Sequence, residues 1–129
     1  MLNTLGGRVM TYKLRGEDAL RAANLPHYTI IRPGRLVPTE KNPSLVDSEL
    51  VVSQGDRITG QILREDVARV AVHCALVEEA ADRCTFELIS AASTNIEPEH
   101  TGNVQSAPGR SKQCPTLLQD LKTDLQVAK

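Results

Sequence analysis

The residues best placed by type and order to do chemistry lie in HYTIIRPGRLVP, residues 27–38. A β-branched run ending at Ile31 stops abruptly in Arg32-Pro33-Gly34. Pro33 removes a ladder donor, and Gly34 permits backbone geometry that other residues avoid. In open α/β sheets, ligands bind outside the carboxyl ends of parallel strands. Pro33, Gly34, Arg35 and Leu36 are therefore candidates for one wall of a pocket; the alternative is an ordinary tight turn. Familiar catalytic patterns are missing. The chain has no Gly-x-x-x-x-Gly-Lys phosphate loop, no Gly-x-Gly-x-x-Gly dinucleotide turn, no His-Glu-x-x-His and no Gly-x-Ser-x-Gly. His27, His73 and His100 are scattered, and His73, alone on a helix, reads as structural. No carboxylate pair has a spacing that argues for acid–base work.

The elements around this stretch follow from hydrophobic periodicity. Residues 8–24 predict a helix with Val9, Met10, Leu14, Leu20 and Ala23 on one broad face. Gly16 is a defect in it, worth about 1 kcal/mol against Ala, or a site of close packing. Asn24 suits a helix stop and Pro26 bars continuation. Residues 28–31 predict a parallel strand covered on both faces. Residues 50–53 and 57–63 predict two strands paired around a turn at Gly55-Asp56, with Gly60 weakening the second. Residues 64–80 predict a helix that buries Val67, Val70, Ala71, Cys74 and Val77, with Glu65 and Asp66 favoured in its first turn. Residues 84–90 predict another strand. This order specifies an α/β fold with a partly parallel sheet.

From residue 91 the composition turns polar, with Pro98, Gly102, Pro108 and Gly109, and predicts a flexible linker over 91–113. Residues 114–129 then predict an amphipathic helix carrying Leu117, Leu118, Leu121 and Leu125, with Pro115 in its first turn. The domain expectation is thus 1–90, a linker at 91–113 and a terminal helix at 114–129.

Composition narrows the function classes. The only aromatics are Tyr12, Tyr28 and Phe86, too few to stack on single-stranded bases. Net charge is −1 with no basic run, so neither nucleic acid nor a membrane surface is an expected partner. No window is apolar enough for a transmembrane helix, and the first ten residues do not form a secretory signal. Cys74, Cys84 and Cys114 are odd in number and contain no Cys-x-x-Cys pair, which fits a reducing compartment and no metal clip.

YKLRGEDALRAANLPHYTIIRPGRL, followed by ITGQILREDVARVAVHCAL and TFELIS, resembles the C-terminal half of an atypical short-chain dehydrogenase/reductase, of the NmrA-like or sugar-epimerase-like NAD(P)-binding kind. The likeness covers about residues 8–90. It implies the C-terminal part of a Rossmann-like, doubly wound, mostly parallel sheet. It places Lys13 where a lysine contacts the cofactor ribose near the nicotinamide, as a catalytic and cofactor-binding residue. Pro33 and Gly34 would line the nicotinamide side, and Arg35 and Leu36 would face substrate. Arg64 and Asp66 would pack and cap a helix start.

Two departures accompany the resemblance. The tyrosine of Tyr-x-x-x-Lys is replaced by Val9, and Tyr12 points about 100° away from Lys13 on a helix. The glycine-rich first βαβ, whose helix N-terminus holds the pyrophosphate, is absent. The expectation is a fragment of an NAD(P)-binding oxidoreductase that binds the dinucleotide weakly alone, located in the cytoplasm, or in the plastid stroma if a transit peptide precedes it. The alternatives are a non-catalytic NmrA-like redox sensor and a module that meets a protein partner, or itself, through an exposed sheet edge.

Overall fold

The computed structural model describes residues 8–77, 81–93, 95–96, 105–107, 117–118 and 121–127. Helix α1 spans Val9–Ala22 and is capped by Ala23. Asn24 then takes a left-handed φ of 50°, the stop its residue type suits. The chain continues as β1 (Thr29–Pro33), β2 (Arg35–Val37), β3 (Leu50–Ser53), β4 (Ile58–Thr59), β5 (Gln61–Leu63), α2 (Arg64–Leu76), β6 (Cys84–Ser90), β7 (Asn95–Ile96), β8 (Gln105–Ala107) and α3 (Asp124–Val127). Among the described residues, no helix is long and apolar enough to cross a membrane.

The architecture is α/β around a mixed sheet. Four strands lie in the order β1-β6-β3-β8. β1 and β6 are parallel, with Ile31 opposite Phe86 and Pro33 opposite Leu88, and α2 lies on the crossover between them. β3 runs antiparallel to both β6 and β8. Side chains alternate across these strands and give the sheet two unlike faces. Phe86, Leu88, Val52 and Leu50 join Val70 of α2 in the main core, with Ile31, Val67 and Cys74 packed against it. Each fully buried large side chain contributes roughly 1.5–3 kcal/mol. The opposite face carries a row made by Arg32, Glu87 and Ser53, neighbours in register across three strands.

Several expectations change. The predicted hairpin is a turn without a hairpin. Gly55 and Asp56 do reverse the chain, with φ of 96° and 60°. The segment after the turn pairs elsewhere, β4 with β7 and β5 with β2. Gly60 lies between β4 and β5, and a Cβ there would lie 2.8 Å from the Ser93 carbonyl oxygen.

Helix α1 buries no residue, and Val9, Met10 and Leu14 are 47%, 42% and 47% exposed. Its docking is polar, against the Arg32–Glu87 face. Gly16 has open space around it, so it packs against nothing and is the weak spot of the helix. In α2 the core-facing stripe is narrower than predicted: Val70 is buried, while Ala71 and Val77 are exposed.

Within 91–113 the described segments are a 3₁₀ turn at Ala91–Ser93 and the strands β7 and β8; the other positions of the expected linker lie outside the described residues. Of the expected terminal helix, Leu117 and Leu118 are buried in the main core, and Leu121 packs against it. Leu125 is exposed, and the remaining positions, Pro115 and Cys114 included, lie outside the described residues.

Candidate functional site

Lys13, Glu17 and Arg21 follow one another at helical spacing and form a stripe along α1. Arg21 marks its lower end. Its guanidinium donates to Thr85 Oγ1 at 2.8 Å and to Asp124 Oδ2 at 3.0 Å. Tyr28 and Thr85 donate their hydroxyls to the same Asp124 oxygen, each at 2.9 Å. One turn higher, Glu17 receives Arg32 of β1 through two bonds, at 3.1 and 2.7 Å. Thr85 stands opposite Ile30, so the stripe climbs β1 from its start toward its carboxyl end. A helical turn rises about 5.4 Å. Lys13 is the next residue of this stripe, one turn beyond Glu17 in the direction of the carboxyl end of β1. Lys13 and Pro33 are both exposed, and Gly34 is half-buried.

Val9 continues the same stripe and supplies no acid. Tyr12 is 60% exposed and lies under the Arg15 guanidinium, whose carbon is 5.8 Å from the ring centre. It is turned off the Lys13 line.

Gly34 marks a change of partner. Its N–H donates to the Leu88 carbonyl at 2.9 Å, the last bond of the β1–β6 ladder. The next N–H, of Arg35, donates to the Gly60 carbonyl at 2.9 Å and opens the pairing of β2 with β5. A Cβ on Gly34 would lie 2.5 Å from the Gly60 oxygen and 2.7 Å from Ile89 Cγ2. The glycine is needed for close approach. Its φ is not positive, which corrects the expectation of unusual backbone geometry; among the described residues Gly55 is the glycine in that region.

Beside this crossing lies an open cleft of about 490 Å³, with Arg35, Asn42, Ser44, Gln61 and Ser93 among its lining residues. The Ser93 hydroxyl accepts the Gln61 N–H at 2.8 Å, and the Asn42 amide donates to the Pro38 carbonyl at 3.0 Å. The structure separates Arg35 from Leu36. Arg35 faces the cleft, whereas Leu36 points to the other side of β2 and is 43% exposed. Arg64 is exposed, and Asp66 is fully buried with Arg69 at 3.3 Å from its carboxylate.

The charged groups on the α1 face are tuned in opposite directions. Hydrogen bonds from Arg32, reinforced by Arg21, hold the Glu17 carboxyl below its usual range against the effect of burial. Glu87, buried on the same face with Arg32 at 3.8 Å, is pushed upward by burial. Burial likewise pushes the Cys84 thiol up to about 11, so it is no nucleophile at neutral pH.

Spacing alone finds the Glu17–Arg21 pair, four residues apart on a helix. The Arg32–Glu87 row and the cleft residues Asn42, Ser44 and Ser93 carry no local signal, because strand register and loop placement bring them together.

The described residues fit one end of a dinucleotide better than the other. A lysine ammonium such as that of Lys13 can donate to ribose hydroxyls. A pyrophosphate needs a helix N-terminus free of negative charge. The described helix that directly follows a strand is α2, and its first turn carries Glu65 and Asp66. A family model described as NAD(P)H-binding matches residues 2–78. No curated protein and no solved structure matches the chain.

Proposed function

The chain belongs to the NAD(P)H-binding family, and from that premise we propose that it forms the nicotinamide-side wall of an oxidoreductase of the atypical short-chain dehydrogenase/reductase kind. The observation that supports this reading is the stripe of Lys13, Glu17 and Arg21 along α1, in which Arg21 meets Thr85 and Glu17 meets Arg32, so that its next turn runs toward the Pro33-Gly34 end of β1. A bound NAD(P)H supplies a hydride from its nicotinamide ring. Lys13 donates to the ribose hydroxyls and fixes the ring's position. Pro33 and Gly34 line the ring at the end of β1, where Gly34 is held close against the Gly60 backbone and the Ile89 side chain. Arg35 faces the substrate side. The diphosphate must be held by a glycine-rich unit that this sequence does not contain, so binding by the chain alone is weak.

The test is saturation-transfer NMR of NADPH and NADH with the chain. Transfer concentrated on nicotinamide and adjoining ribose protons, and lost in Lys13→Ala, is the expected result. Equal transfer to the adenine end, or none at all, sinks the proposal.

A second reading, a non-catalytic NmrA-like redox sensor, is favoured by Val9 at the position of the acid and by Tyr12 turned toward Arg15. NADPH-dependent reduction of any carbonyl compound by the chain joined to a glycine-rich half excludes a pure sensor.

A further inference from the structure

We propose that the cleft beside the Gly34–Gly60 crossing is an anion subsite, and that the substrate carries a carboxylate or phosphate group away from its reacting carbon. The inference rests on the nicotinamide-wall reading for its word substrate, and on the cleft itself for its chemistry. Arg35 lines the cleft. Among the described residues it makes no ion pair and no side-chain hydrogen bond, whereas Arg21, Arg32 and Arg69 are each committed to carboxylates. Among the described residues no Asp or Glu lines the cleft or pairs with the guanidinium. Ser44 and Asn42 add polar atoms to the lining.

A guanidinium recognises a planar carboxylate or a phosphate through paired N–H bonds, and such bonds are shorter and stronger than neutral ones. Position adds to type. Arg35 is the residue immediately after Gly34, so an anion held by Arg35 leaves the rest of a small molecule directed at the Pro33-Gly34 wall.

The experiment is a titration of the ¹⁵N-labelled chain at constant ionic strength, with inorganic phosphate in one arm, propionate in a second and neutral propionamide as control. Saturable shifts confined to the amides of Gly60, Gln61 and Ser93 are expected in at least one anion arm and absent with propionamide. The arm that saturates tells a phosphate ester from a carboxylate as the substrate's anionic group. The shifts are lost in Arg35→Ala and persist, weakened, in Arg35→Lys. Dispersed spectra of both variants establish that they fold, and Ser44→Ala provides a second probe that leaves the backbone ladder untouched. Shifts that do not saturate in either arm, or that survive in Arg35→Ala, overturn the subsite. If the subsite saturates while the nicotinamide protons of NADPH receive no transfer, the anion site stands and the cofactor-wall reading falls. The reverse result removes the anion subsite alone.

Discussion

Glu17 holds two guanidinium groups at once, that of Arg21 one turn along its own helix and that of Arg32 on the strand beneath. Because its folded pKa is depressed, it stabilises the fold fully above the ordinary carboxylate pKa. That stabilisation is lost as pH falls through the depressed value. Glu17→Gln should lower the unfolding free energy by about 1–3 kcal/mol at neutral pH, the range for a hydrogen-bonded charged pair. The gap to wild type should close on acidification, as read from urea midpoints across a pH series. A pH-independent gap would mean that packing, not charge, is what Glu17 contributes. The sequence shows Glu17 and Arg21 as a helical pair. It hides that Asp124, 103 residues away from Arg21, completes the cluster.

Two glycines separate what an element needs from what it merely tolerates. Gly34 lies where three backbone segments cross, and a methyl group would meet a carbonyl oxygen at 2.5 Å. Gly16 sits on an exposed helix surface with nothing near it. Gly34→Ala should destabilise by about 1–3 kcal/mol, as overpacking does. Gly16→Ala should stabilise by about 0.4–1 kcal/mol, through helix propensity and a less free unfolded chain. Thermal unfolding of the two variants should move in opposite directions, and a stabilised Gly34→Ala would refute the crossing geometry. Helices α1 and α2 and strands β1, β3 and β6 were legible in the sequence because each has its own periodicity or β-branched run. The hairpin was misread because pairing is a property of register. The turn at Gly55-Asp56 reads correctly by itself, but the strands after it pair with β7 and β2 instead of β3.

At the scale of the molecule, the carboxyl-terminal segment is part of the core. Leu117 and Leu118 are 2% and 3% exposed, and they complete the cluster around Phe86 and Val70. Leu117→Ala should cost about 2–5 kcal/mol, a cavity-sized loss, in chemical denaturation of the full chain. A loss below 1 kcal/mol, on the order of a surface substitution, would show that the segment only rests on the domain. The apolar spacing of these leucines was visible in the sequence, whereas the surface that receives them was not. The same holds for the candidate site. The end of β1 at Pro33-Gly34 was legible in the sequence, and Arg35 just beyond it. The cleft was not, since Asn42, Gln61 and Ser93 meet only after β2, β5 and the turn following β6 have come together.

Pro33 also governs the rim of the sheet. Among the described residues no strand pairs with the outer side of β1. Donors alternate along a strand, and Gly34 N–H points inward to Leu88. The outward donors of β1 are therefore those of Thr29 and Ile31, and the third such place is the imide nitrogen of Pro33. A strand laid against this rim would find two donors and then none, so the proline shortens the row available for strand addition.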